Sequence, residues 1–189
     1  DVEGKGVSSA LVMSNLQATL RALVIHLHSL DEIAESLNRM ILTDTRSQKY
    51  LSIFLGLIDV RRRGLHYINC GHVPPVIVRP NHDPIPLTEG GMVIGLFENA
   101  RYTRGHTTLQ RGDILILCTD GITESMDINQ DEYGTDRLIA CARSVADRQA
   151  SEIVGAVSAD VARFSRHGTH LDDKVMIASW REELGIIIK

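Results

Sequence analysis

The spacing of apolar residues changes period along this chain, and that change limits the folds open to it. Met13, Leu16, Leu20, Leu23 and Leu27 recur every three or four positions, which places them on one face of a helix from about Ser8 to His28. Ser29-Leu30-Asp31-Glu32 has the form of a capping box and opens a second helix with Ile33, Leu37 and Met40 or Ile41 facing inward. The pattern then turns β-rich. Leu51 to Val60 and Leu65 to Cys70, joined by the polar stretch Arg61 to Gly64, read as a hairpin. Further strands are expected at Val76 to Arg79, Tyr102 to Leu109 and Ile114 to Thr119, divided by turn signals at Pro74-Pro75, Asn81 to Pro84, Gly90-Gly91 and Arg111-Gly112-Asp113. Together these strands describe an antiparallel meander. "SIFLGLI" and "ILILC" are almost continuously apolar, which predicts a sheet covered on both faces. Helical spacing returns at Gly134 to Ala146 and at Ser151 to Arg166, with Ile153, Val157, Val161 and Phe164 as the stripe, before a last strand at Lys174 to Trp180. The pattern predicts an α+β fold, an αββα sandwich of two antiparallel sheets flanked by helices.

Composition narrows the function. With 189 residues and a formal net charge of −4, the chain suits one domain and lacks the basic stripe of a phosphate-backbone reader, so nucleic acid is not an expected partner. Cys70, Cys118 and Cys141 are odd in number and show no C-x-x-C spacing, which reads as a reducing, cytoplasmic setting. No apolar run reaches membrane-spanning length, and no signal-peptide pattern opens the chain. Repeats and low-complexity tracts are also missing, leaving one continuous domain and a tail at 182–189.

Three acidic positions stand beside turns. Asp120 follows the strand Ile114 to Thr119 and precedes Gly121, Asp172-Asp173 precedes the final strand, and Asp1 precedes a glycine turn and a helix. Hard divalent cations such as Mg²⁺ or Mn²⁺ take carboxylates, carbonyls and water as ligands, and strand ends are where such ligands gather. An Asp beside Gly also serves simply as a turn former or helix cap. Spacing alone does not choose between these roles.

Four segments carry a resemblance that covers nearly the whole chain. "DVEGKGVSSALVM", "YINCGHVPPVIVR", "LQRGDILILCTDGITES" and "DDKVMIAS" are similar, in order, to D-V-x-G-K-G-x-x-A-A-L-M, Y-x-N-A-G-H-x-P-P, L-x-x-G-D-x-L-x-L-Y-T-D-G-V-T-E-A and D-D-x-T-L-hydrophobic. Those segments belong to the bacterial SpoIIE-type serine/threonine phosphatases of the metal-dependent protein phosphatase superfamily. The family fold is an αββα sandwich, in agreement with the periodicity. The resemblance implies that Asp1 and the backbone carbonyl of Val2 bind metal, that Asp120 is a shared or second-metal ligand, and that Asp172 completes the cluster with Asp173 as a further candidate. Two Mn²⁺ or Mg²⁺ ions would then activate a water for attack on a phosphoserine or phosphothreonine. No protein nucleophile is required, and no cysteine sits in a glycine-rich turn before a helix.

Other residues have two readings each. Gly4 and Lys5, at the start of the first helix, are candidates to receive the phosphate, and Lys5 is equally a solvated turn residue. His72 is a candidate proton donor, with a structural histidine in a strand-ending turn the favoured alternative. Glu3 reads as a solvated turn residue rather than a water-bridged ligand. His26, His28, His167 and His170 fit no zinc spacing with the cysteines and read as surface or interface residues.

The sequence also departs from the family. Its upstream G-G-D-x-x-D motif is absent, and Gly90-Gly91 is followed by Met92. The expectation is that residues 1–181 form the C-terminal part of a larger phosphatase domain whose N-terminal strands are missing. Lys174 and Val175 stand where relatives carry a hydrophobe and Thr. The resemblance implies a phosphoprotein substrate, often an anti-sigma-factor antagonist, with a sensor or receiver domain upstream. A homodimer is suggested by the family and by Ile186-Ile187-Ile188, a run that reads equally as cover for the chain's own sheet. A different class of function, a catalytically silent phosphatase-like module that binds a partner, is the alternative.

Overall fold

A computed structural model describes residues 1–26, 29–45 and 48–166, and the backbone of 175–180 and 184–188. In chain order the elements are α1 (Val7–His26), α2 (Leu30–Thr45), β1 (Ile53–Asp59), β2 (Gly64–Cys70), β3 (Val76–Val78), β4 (Ile85–Pro86), β5 (Gly90–Gly91), β6 (Gly105–Thr108), β7 (Ile114–Cys118), α3 (Asp120–Thr123), α4 (Gly134–Ser144), α5 (Ala150–Phe164), β8 (Val175–Trp180) and β9 (Leu184–Ile188). The fold is α+β, with largely antiparallel sheets accompanied by helices. The chain divides into two compact units, one of residues 1–72 and 88–108, the other of 73–87 and 109–189. No helix among the described residues is long and apolar enough to cross a membrane.

In the first unit β2 is the central strand. It pairs antiparallel with β1 from Ile53↔Cys70 to Asp59↔Gly64. The expected hairpin turn forms because Asp59 Oδ1 accepts the N–H groups of both Arg61 and Arg62 at 3.0 Å. Along its other edge β2 pairs antiparallel with β6 and, further on, parallel with β5. The parallel strand corrects the reading of Gly90-Gly91 as a turn. A Cβ on Gly90 would lie 1.8 Å from the Asn69 carbonyl oxygen, so only glycine lets the two backbones approach this closely.

Helix α2 supplies most of the cover for this sheet. Its Ile33, Ala34, Leu37 and Ile41 are buried with Leu55, Ile68 and Cys70 in one apolar cluster. Buried Asn38 pins the following loop to α2, donating to the Phe97 carbonyl and accepting the Gly95 N–H, both at 2.8 Å. Helix α1 contributes less than its stripe predicts. Leu16 is buried and Leu20 and Leu23 pack at the edge, while Met13 is exposed and Leu27 lies outside the described residues.

The expectation that "SIFLGLI" is covered on both faces fails for β1. Leu55 enters the core, but Gly56 and Leu57 are exposed. The strand pairs only with β2 among the described residues, and its second half carries apolar side chains past the buried cluster.

The second unit holds the sheet β4-β3-β7-β8-β9, antiparallel throughout. Val76, Val78, Ile114, Ile116 and Cys118 share an apolar cluster with α4 and α5, whose buried residues include Leu138, Ile139, Ile153, Val157 and Val161. Ile77 and Leu115, on the opposite face of β3 and β7, are also buried, as the continuous apolar run of β7 predicted. Tyr133 anchors the helix pair by donating its hydroxyl to Asp160 at 2.7 Å and meeting the Phe164 ring edge-on. Within the segment expected as a tail over 182–189, Leu184–Ile188 pairs with β8 from Trp180↔Leu184 to Met176↔Ile188, which satisfies its backbone groups on the chain's own sheet.

Candidate metal centre

The first six residues are held by contacts far away in sequence. Asp1 and Ser52 exchange backbone hydrogen bonds at 2.7 and 2.9 Å, and the Glu3 N–H donates to the Tyr50 carbonyl at 3.1 Å. Val2 pairs with Leu51 between these bonds. In an antiparallel pairing the residue between two bonded pairs turns its own N–H and C=O away from the partner. The Val2 carbonyl therefore faces away from residues 50–52, while its side chain is buried in the cluster with Leu51 and Ile94. The carbonyl is thereby turned toward groups outside this pairing.

Beyond Val2 the chain turns sharply into α1. Gly4 has φ 81° and Gly6 φ 90°, backbone states in which an L side chain is strained. The Glu3 carbonyl accepts from Ser9 Oγ and from Lys49 Nζ, each at 3.0 Å. The same Lys49 Nζ would lie 2.8 Å from a Cβ on Gly4, so a second lysine sits at this turn. Lys49 was not singled out from sequence, because 46 residues separate it from Glu3. Lys5 and the Glu3 side chain are exposed.

His72 is tied into the same region. Its N–H donates to Asn69 Oδ1 at 2.7 Å while Asn69 Nδ2 donates to its carbonyl at 2.9 Å, closing a turn through Gly71. The His72 ring meets the Ser52 hydroxyl through Nδ1 at 3.0 Å, and Ser52 is the backbone partner of Asp1. A continuous chain of hydrogen bonds thus runs from the N-C-G-H turn to the first candidate ligand. The favoured structural reading of His72 agrees with this geometry.

Asp120 starts the four-residue α3 directly after β7. That short turn satisfies its own carbonyls, with Thr123 Oγ1 donating to Asp120 O at 3.1 Å and Ser125 Oγ to Gly121 O at 2.6 Å. The Asp120 side chain is half-buried and makes no hydrogen bond or ion pair among the described residues. A half-buried carboxylate without a protein donor is a fitting cation ligand.

Asp1 and Val2 belong to the first unit and Asp120 to the second. Asp172 and Asp173 lie outside the described residues. Among the described residues no three His, Cys, Asp or Glu side chains form a metal-binding group. The oxygen donors present suit Mg²⁺ or Mn²⁺ in type. Thiol chemistry is disfavoured: burial pushes Cys70 up to about 12, and burial with the nearby Asp120 charge pushes Cys118 up to about 11, so neither is a thiolate near neutral pH.

The profile of the family described as Stage II sporulation protein E (SpoIIE) matches residues 1–181. The chain belongs to the SpoIIE family. Phosphoserine phosphatase RsbU of Bacillus subtilis (strain 168) is 25% identical over 125 residues, which is 66% of this chain and 37% of RsbU. The SiaA-PP2C domain of Pseudomonas aeruginosa superposes with a TM-score of 0.80 at 20% identity, over 94% of this chain and 71% of that one. The catalytic domain of the serine threonine protein phosphatase PstP, solved in complex with 2 manganese ions, matches with a TM-score of 0.64 at 12% identity, over 94% of this chain and 83% of that one. These structural likenesses establish a PP2C-like fold. The chain spans 21% to 37% of the length of the curated relatives it matches.

Proposed function

We propose that this SpoIIE-family chain takes part in metal-dependent hydrolysis of phosphoserine or phosphothreonine on a regulatory protein. The observation that carries the reading is the D-V-x-G-K-G segment itself, where Val2 turns its carbonyl away from its pairing partner beside the Asp1 ligand candidate. Asp1, the Val2 carbonyl, Asp120, Asp172 and Asp173 would hold two ions, Mn²⁺ or Mg²⁺, which when bound supply an activated water and neutralise phosphoryl charge. The chain's own part is positional. Ser52 and His72 fix the backbone at Asp1, and the Gly4-Lys5 turn, with Lys49 bonded to the Glu3 carbonyl, offers positive charge and backbone N–H groups to an incoming phosphate. The buried, protonated Cys70 and Cys118 support a mechanism without a thiol nucleophile.

The family resemblance favours an anti-sigma-factor antagonist as the phosphoprotein, acted on in the cytoplasm, with a sensor or receiver domain elsewhere in the parent protein and a homodimer as the assembly. Calorimetric titration with Mn²⁺, run beside phosphate release from a phosphoserine peptide and from a phosphorylated antagonist domain, tests this reading. Mn²⁺ binding that Asp120→Asn weakens, with metal-dependent phosphate release, is the expected result. A chain that binds no Mn²⁺ and releases no phosphate would act through partner binding instead.

A further inference from the structure

Two imidazoles stand together on the first unit's sheet, apart from the candidate carboxylates. His66 on β2 and His106 on β6 are directly opposed in the antiparallel register, so their side chains leave the same face of the sheet. The two imidazole centroids are 4.5 Å apart with the planes tilted by 38°. Such a tilt departs from flat stacking. Both rings bring Nε2 over the buried Gly64 backbone, where an added Cβ would lie 3.4 Å from His106 Nε2 and 4.0 Å from His66 Nε2. The two Nε2 atoms are thus near one point of the sheet.

The pair is accessible to a ligand from its solvent side. His106 is exposed and His66 half-buried, so an ion can reach the pair from solvent. Leu57 opposes His66 on β1 and is exposed, contributing no charge. The nearest acidic position in the register, Asp59, pairs with Gly64, but its Oδ1 already accepts from Arg61 and Arg62. No other described carboxylate or cysteine joins the two histidines in a group. The donor set is two imidazoles, which suits borderline transition ions and not Mg²⁺.

We propose that His66 and His106 form a cross-strand clasp for a borderline divalent transition-metal ion of the Zn²⁺ type. Imidazole nitrogens ligate Zn²⁺ at about 2 Å, and small movements of two solvent-accessible rings reach that distance. The remaining coordination positions fall to water or to a donor from a partner. The clasp ties β6 to β2 at the end of the sheet away from Asp1. It rests on none of the phosphatase reading.

The test is calorimetric titration of the chain with Zn²⁺ in excess Mg²⁺, which occupies hard oxygen sites, with imidazole NMR shifts as the second readout. The expected result is one Zn²⁺ site with both imidazole spectra shifted, lost in His66→Ala and in His106→Ala and retained in Asp120→Asn. Circular dichroism checks that each histidine variant stays folded. Gly64→Ala places a methyl group against both Nε2 atoms and is expected to weaken binding with both imidazoles intact. Zn²⁺ binding that survives in both histidine variants, or no binding to the folded parent chain, overturns the proposal and leaves the pair as a packing contact.

Discussion

Replacing Arg79 by Met is expected to be among the most damaging single changes outside the apolar cores. Arg79 follows β3 and Asp113 precedes β7, and the two form a bidentate pair with Nε–Oδ1 and Nη2–Oδ2 both at 2.8 Å. Asp113 is 1% exposed and the Arg79 side chain 16%, so solvent screens the pair poorly. The Asp113 carboxylate holds the Arg79 guanidinium above its usual range, chiefly through the hydrogen bonds. With Arg79 gone, the buried carboxylate keeps the Gln110 N–H at 2.8 Å as its chief remaining donor. Leaving one buried charge unpaired costs about 3–5 kcal/mol, a large part of the ~5–15 kcal/mol that holds a typical domain together.

The double variant Arg79→Met with Asp113→Leu separates the charge from the rest. It removes both ions, and apolar replacements of buried ion pairs are often close to neutral. Here it also strands the Gln110 N–H, which sets a residual cost of about 1–3 kcal/mol. Urea denaturation followed by circular dichroism gives all three values. The carboxylate end of β7, where Asp120 sits, is the length of that five-residue strand away, about 17 Å, so Mn²⁺ affinity of the folded fraction should not change. A single variant that loses less than about 1 kcal/mol, or a double variant as unstable as the single, refutes the reasoning.

Other expectations follow from the same geometry. His72→Ala removes the partner of the Ser52 hydroxyl and is expected to lower Mn²⁺ affinity about 10–100-fold, as loss of a supporting hydrogen bond commonly does; an unchanged calorimetric affinity would contradict it. Gly4→Ala forces a side chain to φ 81° against Lys49 and should lose about 1–2 kcal/mol in thermal denaturation, with Lys49→Ala restoring only the steric part. Tyr102 has a buried hydroxyl with no hydrogen-bond partner in the described residues, so Tyr102→Phe should be neutral or stabilising by about 1 kcal/mol, and a clear drop in the urea midpoint would show a missed partner. Ellman's reagent at pH 8 should modify half-buried Cys141 first, with buried Cys70 and Cys118 reacting only as the chain opens. The latter two thiols are raised from 9.0 to about 12 and about 11 by burial. Their contribution to stability is therefore complete below pH 9, where the unfolded thiols stay protonated, and declines as pH climbs toward 11 and 12. A stability profile flat across that window would exclude the assignment.

What could be read from sequence divides along the range of the interactions involved. The spacing that marks α2 and α5 is set within single turns, so Ile33, Leu37, Ile153 and Val157 were legible as core residues, and they are buried. By contrast, β5 is two glycines whose pairing exists only because the backbone at Asn69 lies within reach, and no local pattern encodes that. The same run of apolar residues predicted burial for β1 and β7 alike. It failed for β1 because placement at a sheet edge is a property of topology, not of the strand. The candidate metal centre repeats the division. Asp1, Val2 and Asp120 sit in motifs with turns and glycines whose backbone demands are local, whereas Ser52 and Lys49 reach the D-V-x-G-K-G segment from 51 and 46 positions away, and His72 is linked to it through Ser52, 20 positions before it. A resemblance built on contiguous motifs offers ligand candidates and His72, and passes over Ser52 and Lys49, which lie outside the motifs. If the hydrogen-bond chain from Asn69 through His72 and Ser52 does hold Asp1 in place, then Ser52→Ala should share the metal-affinity defect of His72→Ala while leaving urea stability nearly unchanged, a pairing of effects that a merely structural turn would not produce.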